Sequence, residues 1–464
     1  MQTQKWFFPA VLSGIIIAIF LPFLFTGYSN IKQAEAAETQ SDYKTAASSY
    51  ERAARLLPWR DDLWEKAGMA ASRDENCPTA IYFFERASKL SREGWLAFGY
   101  CHYLGGDLQM SRQTFESGLL LYPSPSFYEA LALISRTQKD WPTERAALQN
   151  QLSLGGGDAR THYRLGLLLT FLDSKQASDE LKLASSLNPE FDPAVQTLLA
   201  ALNQSSTSSD ESQYMVAVGR GLGLVQEWDL SLAAFEKAIE LNSQNAEAWA
   251  WLGEAQQQTG QDGGAALDQA IALDHNSVII RALRGLYWNR LGQYDRMLAE
   301  YSLAAKLEPQ NPAWQASIGN SYTQLGDLAS ALDAYQRAVE IAPEDSTYWR
   351  LLAVFCADNG VHIEDIGLPA AQQAADLAPA DASALDALGF LYFSSGRFAN
   401  AEQTFLKAIE LDPEYYPAHL HLAVNYLLQG NRSAAYNQLS YVRDADISGV
   451  YAEAARQLLA QNFP

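Results

Sequence analysis

The amino-acid sequence predicts an all-α protein of stacked helical hairpins, preceded by one membrane-spanning helix. Small residues recur every 32 to 36 positions, at Gly219, Gly253, Gly285, Gly319, Ala353 and Gly389, and prolines keep the same step at Pro309, Pro343, Pro379 and Pro413. A repeat of this length indicates supersecondary units that stack on their neighbours to bury their apolar faces. An uncharged apolar stretch near the N-terminus predicts the membrane-spanning helix.

The first predicted element is a transmembrane helix over residues 6–26, which follows a tail of residues 1–5. No charged residue occurs between Trp6 and Ile31, and about twenty residues of helix span the roughly 30 Å of bilayer hydrocarbon. The alternative is a cleaved signal peptide, because residues 34–36 fit an A-x-A cleavage site. The apolar run is longer than such peptides use, and this site lies far beyond its end. We therefore favour an uncleaved signal anchor.

The charges beside this helix indicate its orientation. Lys5 and the terminal amine precede it, whereas Lys32 and Lys44 follow it among acidic neighbours. The positive-inside rule then places the short end in the cytoplasm. We expect a single-pass plasma-membrane protein whose repeat array is extracytoplasmic. A cytoplasmic array and secretion after cleavage are the alternatives.

One unit, Ala382–Tyr415, shows why each repeat is a hairpin. Its first helix places Leu385, Leu388, Gly389 and Tyr392 at helical spacing, and its second helix places Ala401, Phe405 and Ala408 on one face before ending at Asp412-Pro413. The small residues allow the two helices to approach closely, and the large residues fill the space between them. Proline ends the second helix because it lacks an amide donor.

This pattern resembles the tetratricopeptide repeat (TPR), W-x2-L-G-x2-Y followed by A-x3-F and P. The opening is matched by Trp249, Leu252 and Gly253 and by Ile318, Gly319 and Tyr322, and the second helix by Ala331, Tyr335, Ala338 and Pro343. Towards the N-terminus, the pattern continues through Trp95, Phe98, Gly99, Phe115 and Pro123 and through Trp64, Gly68, Ala80, Phe84 and Ala87. The resemblance implies a right-handed α-solenoid of about twelve hairpins.

The predicted boundaries follow this repeat. The N-terminal array covers residues 27–202, with hairpins at 27–60, 61–91, 92–124, 125–158 and 159–191. Phe191–Leu202 is predicted to be a first helix without a mate, and a Ser-rich linker at 203–211 then divides the array into two blocks. The C-terminal array covers 212–449, with hairpins at 212–245, 246–277, 278–311, 312–345, 346–381, 382–415 and 416–449. A closing helix at 450–464 covers the last apolar face.

Composition and motifs narrow the function. A net charge of −21 argues against nucleic-acid binding, and Cys77, Cys101 and Cys356 match neither a disulfide scaffold nor a zinc site. The sequence contains no phosphate-binding loop, nucleotide-binding fingerprint, metalloprotease motif or nucleophile elbow. Three histidines take core positions of the repeat, namely His102, His162 and His419. We therefore predict no enzyme activity, catalytic residue, metal or cofactor.

The resemblance implies that the first helices line a ligand groove. By position, its apolar part comprises Phe390, Phe393, Leu420, Val424, Leu427 and Leu428, and its polar and partly basic part comprises Trp251, Asn289, Arg290, Asn320, Gln324 and Arg350. The apolar part is either a binding surface or a surface that the closing helix covers. The lysines with which some family members hold a peptide's terminal carboxylate are absent from the matching positions. The expected ligand is a peptide with an apolar anchor and a polar or acidic flank.

These observations predict a membrane-tethered scaffold that binds partner proteins for an envelope process, such as secretion, protein maturation or polysaccharide assembly. Its partners would be a protein or peptide ligand and the membrane, but no nucleic acid. A non-catalytic auxiliary subunit that binds a glycan or a small ligand is the alternative, and an enzyme is the second alternative.

Overall fold

The computed structural model of the chain describes residues 4–205, 210–446 and 449–463, with side chains at these positions apart from 4–20, 204 and 205. The secondary structure of these residues is helical, which confirms the predicted all-α class. The chain divides into two compact units, Met1–Ala234 and Phe235–Pro464, and the division falls within one helix.

The first unit begins with five hairpins. Their helices are α1 (Gln4–Thr39), α2 (Tyr43–Leu56), α3 (Asp62–Arg73), α4 (Cys77–Phe84), α5 (Arg92–Leu104), α6 (Leu108–Leu121), α7 (Pro125–Thr137), α8 (Trp141–Ser153), α9 (Ala159–Leu169) and α10 (Ser174–Leu187). A single helix follows, and then a sixth hairpin whose second helix enters the second unit. These are α11 (Asp192–Ser205), α12 (Glu211–Leu224) and α13 (Trp228–Leu241).

The second unit continues with six hairpins and a last helix. They are α14 (Ala246–Gln258), α15 (Gly264–Leu273), α16 (Val278–Arg290), α17 (Tyr294–Leu307), α18 (Pro312–Leu325), α19 (Leu328–Ile341), α20 (Ser346–Asp358), α21 (Leu368–Leu377), α22 (Ala382–Ser394), α23 (Phe398–Leu411), α24 (Tyr416–Leu428), α25 (Arg432–Ala445) and α26 (Val450–Asn462). Below, the helix of a hairpin that comes first in the chain is called its first helix, and the other is called its second helix.

The predicted close approach of the two helices in a hairpin is confirmed. A methyl group at Gly389 would lie 2.6 Å from the ring of Phe405, and one at Gly99 would lie 2.3 Å from the ring of Phe115. The same pairing of glycine with an aromatic residue recurs at Gly68–Phe84, Gly285–Tyr301 and Gly319–Tyr335. The repeat's small position therefore provides the space into which its large position packs.

The turn inside each hairpin also recurs. Except between α9 and α10, it contains a residue with positive φ, which is glycine at positions 106, 260, 292, 326, 360, 396 and 430 and Ser41, Glu75, Lys139 or Gln226 in the other hairpins. In several hairpins the next residue caps the second helix. Asp42, Asn76 and Asp327, for example, each accept a hydrogen bond from the backbone amide three residues further on.

The predicted anchor and the first repeat share one continuous helix, because α1 extends from Gln4 to Thr39. Among the residues that the structure describes, no helix combines the length and the apolar character that crossing a bilayer requires. Residues 6–20 of the predicted anchor lie outside the described side chains, and the anchor stays a prediction.

The apolar core of the first unit continues on both sides of the predicted linker. Val195, Leu198 and Leu202 of α11 belong to the same buried cluster as Val218 and Leu222 of α12. Positions 206–209 of the linker lie outside the described residues. The domain boundary at 203–211 stays a prediction.

An irregular segment interrupts the hairpin of α20 and α21. Residues Ile363–Gly367 form a π-helical turn after His362, whose φ is +49°. A methyl group at Gly367 would lie 2.8 Å from Cys356 and from Leu391. The segment therefore packs tightly on α20 and α22 rather than forming a free loop.

Candidate functional site

The candidate groove is formed in the second unit by the first helices of successive hairpins. Contacts join α14 to α16, α18 to α20, α20 to α22, and α22 to α24. The faces of these helices that point away from the second helices carry the predicted groove residues. The six predicted apolar residues lie on α22 and α24, where Leu428 is exposed and the other five are half-buried.

Phe390, Phe393, Val424 and Leu428 form the open apolar part, which we call the aromatic patch. The rings of Phe390 and Phe393 are stacked, with centroids 6.2 Å apart and planes 15° apart, and Phe398 contacts Phe393 edge-on at 5.9 Å. Phe390, Phe393 and Val424 are half-buried, whereas Leu428 is 62% exposed. The patch thus exposes apolar surface on two neighbouring helices.

The closing segment covers part of the predicted surface. Leu420 packs against the buried cluster that contains Ala455 and Leu459 of α26. Leu427 packs against the same cluster as Phe463, which follows α26, and Phe390 and Phe393 pack against that cluster as well. The closing segment therefore packs beside part of the apolar groove.

The predicted basic character of the middle groove is reduced by an ion pair. Both terminal nitrogens of Arg290 donate to the carboxylate of Glu254, at 2.7 and 2.5 Å. Burial would raise the pKa of Glu254, but hydrogen bonds from Arg290 and Gln258 hold it below its usual range. The charge of Arg290 is thus neutralised within the protein.

The other predicted polar residues follow one another along the row of helices. The indole of Trp251 on α14 donates to Glu247 at 3.2 Å and stacks on Phe235 of α13, with ring centroids 6.3 Å apart, so it packs against the second helix of the preceding hairpin. Asn289 on α16, Asn320 on α18 and Arg350 on α20 are half-buried, and Gln324 is exposed. These side chains do not gather into one pocket with the aromatic patch.

A histidine–aspartate pair beside the aromatic patch was not predicted. His421 Nδ1 lies 2.8 Å from Asp386 Oδ1, and the imidazole stacks on Phe390 with centroids 4.8 Å apart and planes 8° apart. Burial alone would lower the pKa of His421, but the hydrogen bond and charge of Asp386, together with the charge of Asp358, raise it. The sequence feature that could have revealed this pair is the separation of 35 residues, which places the two side chains in adjacent repeats.

The remaining titratable residues resemble core residues more than catalytic ones. His102 and His419 are buried, as predicted. All three cysteines are free and buried, and burial raises the pKa of Cys101 to about 12 and that of Cys356 to about 11. Over the described ranges, no group of three or more His, Cys, Asp or Glu side chains is arranged to hold a metal ion.

A separate cleft of about 840 Å³ lies between α21 and α23. Leu385, Leu388 and Tyr392 of α22 lie at its base. Its sides carry amide and charged groups, namely Gln372, Asp376, Asn400, Gln403, Lys407 and Glu410. The cleft has the size and the mixed lining of a small-ligand site.

Comparison with protein-family models identifies the repeat. Models described as tetratricopeptide repeat match residues 313–355 and 382–415, and a model described as TPR repeat matches residues 226–260. The chain contains tetratricopeptide repeats. The match at 382–415 coincides with the unit from which the hairpin was predicted.

The curated relatives match over part of their length. Superkiller complex protein 3 from Homo sapiens is 24% identical over 263 residues, which cover 52% of this chain and 15% of that protein. Small glutamine-rich tetratricopeptide repeat-containing protein 2 from Mycosarcoma maydis is 30% identical over 122 residues, which cover 26% of this chain and 31% of that protein. The chain therefore spans well under half the length of these TPR relatives.

Solved structures match the chain over a larger share of their own length than these relatives do. The crystal structure of yeast Tom70 is 15% identical, with a TM-score of 0.43, and the match covers 94% of this chain and 96% of that one. A tetratricopeptide repeat protein from Parabacteroides merdae is 16% identical, with a TM-score of 0.45, covering 56% of this chain and 100% of that one.

Proposed function

We propose that this chain is a non-catalytic scaffold whose TPR hairpins bind a segment of a partner protein on the aromatic patch. The observation that carries the proposal is the open apolar surface of Phe390, Phe393, Val424 and Leu428 on two adjacent first helices. Contiguous exposed apolar surface of this kind marks interaction sites, and aromatic residues in it supply much of the binding energy.

Site-specific photo-crosslinking in cells tests this proposal. A photo-reactive amino acid at Leu428 should form discrete crosslinked adducts with a partner. The matched control is Leu406, which is 43% exposed on the second helix α23 and should form none. A synthetic peptide copied from the crosslinked segment should then compete for the site. Equal crosslinking at both positions, or no adduct at Leu428, would contradict the proposal.

We further propose that residues 6–26 tether the scaffold to the plasma membrane, with the repeat array outside the cytoplasm and serving an envelope process. Support comes from the absence of charge between Trp6 and Ile31 and from the position of Lys5. Protease should digest a C-terminal tag in intact spheroplasts. Protection of the tag until lysis would place the array in the cytoplasm, and recovery of the full chain in the soluble fraction would contradict the tether.

The cleft between α21 and α23 supports a second candidate function, the binding of a glycan or another small ligand. Its tyrosine and amide groups are suited to hydroxyl-rich ligands, because amides donate and accept hydrogen bonds. Calorimetric titration with oligosaccharides should then show saturable binding that Tyr392→Ala and Gln403→Ala weaken. Unchanged affinity in both variants would exclude the cleft as the site.

A further inference from the structure

His421 is fixed in orientation at the edge of the aromatic patch. Asp386 on α22, whose side chain is 8% exposed, has its Oδ1 2.8 Å from Nδ1 of His421. The ring of Phe390 lies parallel to the imidazole, with ring centroids 4.8 Å apart. The ring of Phe405 on α23 contacts the imidazole as well, at 5.7 Å. A histidine whose Nδ1 is bound to a buried carboxylate presents a defined Nε2 to its surroundings.

The second ring nitrogen of His421 is available to a ligand. Nε2 has no hydrogen-bond partner among the residues that the structure describes, and 34% of the side chain is exposed. Asp386 favours the protonated imidazole, in which Nε2 is a hydrogen-bond donor. The carboxylate of Asp386 itself already binds Nδ1 of the same imidazole.

Other charges around the imidazole are few and can be named. Asp358 on α20 is exposed and acts on His421 through its charge without an ion pair. Arg350, also on α20, lies near Tyr415 in the turn before α24. Its charge lowers the pKa of Tyr415, whereas the charge of Asp386 raises it. His421 is thus the cationic donor that these contacts place beside the rings, and Asp358 is an exposed carboxylate whose charge acts on it.

We infer that His421 Nε2 donates a hydrogen bond to a carboxylate of the bound segment, whose neighbouring apolar side chain packs on Phe390 and Phe393. A carboxylate is favoured over a basic group because the free polar atom beside the rings is a donor, and charge-assisted donor–carboxylate bonds are the stronger class. The inference rests on the proposed function, because it names the ligand group that the aromatic patch selects.

Two matched peptides test this inference on the full chain. Both carry fluorescein on a Gly-Leu-Phe-Leu sequence, one with a free C-terminal carboxylate and one with a carboxamide. Fluorescence anisotropy at about pH 6 should show the carboxylate peptide binding about fivefold more tightly than the amide, and the preference should fall as the pH rises and the imidazole loses its proton.

Variants separate the contributing groups. His421→Gln should abolish the carboxylate preference, so that the two peptides bind with equal affinity, and Asp386→Asn should reduce the preference at neutral pH. Asp358→Asn should tighten binding of the carboxylate peptide about twofold, because it removes a like charge. Weaker carboxylate binding in Asp358→Asn would overturn the inference and indicate a site for a cationic group.

The remaining outcomes distinguish this inference from the proposed function. Equal binding of the two peptides, abolished by Leu428→Asp, would overturn the role of His421 and leave the scaffold function supported. Binding of neither peptide at any pH would contradict ligand binding on the aromatic patch, and the inference with it.

Discussion

At the residue scale, the exposure of each residue in the aromatic patch determines how much that residue also stabilises the fold. Phe393 is half-buried between Phe390 and Phe398, so Phe393→Ala should lower the free energy of unfolding by about 1–2 kcal/mol. Leu428 is 62% exposed, and Leu428→Ala should change it by less than about 0.5 kcal/mol. Urea unfolding of the two variants checks this, and equal losses would contradict it.

The ion pair between buried Glu254 and the more exposed Arg290 leads to a prediction about pH. The pKa of Glu254 is lower in the folded chain than in the unfolded one, so the pair stabilises the fold above the unfolded pKa and loses this effect as the pH falls through the folded pKa. Glu254→Gln should therefore destabilise the chain by about 2 kcal/mol near neutral pH, with the difference shrinking below about pH 4.

Urea unfolding of the wild type and Glu254→Gln over a pH series measures this difference. A difference between wild type and Glu254→Gln that does not vary with pH would show that shape, rather than charge, stabilises this contact.

The residue-scale features that the sequence did not predict are contacts between repeats. Repeat position assigns Phe390 and Phe393 to one first helix and Val424 and Leu428 to the next, and these are α22 and α24. It could not show that Arg290 is neutralised, because Glu254 lies 36 residues earlier in the preceding hairpin. Such partners depend on how neighbouring units stack, and the pattern of a single unit contains no information on that.

At the scale of the element, each hairpin depends on the match between its small and large positions. In the hairpin of α22 and α23, a methyl group at Gly389 would lie 2.6 Å from the ring of Phe405. Gly389→Ala should therefore lower the free energy of unfolding by about 2 kcal/mol through overpacking. The double variant Gly389→Ala/Phe405→Leu should lose about 1 kcal/mol less than the sum of the losses in the two single variants, and a double-mutant cycle measures this difference. Strict additivity would mean that the two positions do not contact each other.

The recurring turn yields a second prediction at this scale. Glu75 has a φ of +58° at a position where most hairpins have glycine, and non-glycine residues are strained there. Glu75→Gly should raise the free energy of unfolding by up to about 1 kcal/mol, since the relieved strain exceeds the added flexibility of the unfolded chain. Gly326 has a φ of +78° and open space around it, and Gly326→Ala should lower the free energy of unfolding by about 1 kcal/mol. Thermal melting of both variants distinguishes these opposite shifts.

The elements that follow the repeat were predictable, and those that depart from it were not. Periodic apolar and small residues placed the hairpins because packing inside one unit depends on that unit's own sequence. The π-helical turn at Ile363–Gly367 has no counterpart in the repeat pattern. Its geometry depends on Gly367 fitting against Cys356 and Leu391, which lie on two different helices.

At the scale of the whole molecule, the division of the chain into two compact units does not coincide with the polar run in the sequence. The division falls within α13, between Ala234 and Phe235, although residues 203–211 have the composition of a linker. Continuous apolar packing from α11 to α12 accounts for the difference, because buried Leu198 and Val218 share one cluster. Composition therefore identifies a polar segment but does not by itself define a unit, which is set by packing.

The last helix provides a test of how stability is distributed along the second unit. Ala452, Ala455 and Leu459 of α26 are buried, and the latter two share a cluster with Leu439 and Val442 of α25. Because each repeat is stabilised mainly by its neighbours, a chain that stops at residue 449 should lose protection in α24 and α25 first. Hydrogen exchange should show an increase there of about tenfold or more, and little change in α18 and α19.

The control for this truncation is Val450→Ser, which changes a residue that is 70% exposed on the same helix and should leave exchange unaltered. A uniform increase across α14–α25 would contradict nearest-neighbour stabilisation and show that the unit unfolds as one cooperative body. A local increase would mean that α26 stabilises the hairpin bearing Val424 and Leu428. The closing helix would then stabilise the hairpin that carries part of the aromatic patch through Leu420, which packs against the cluster of Ala455 and Leu459.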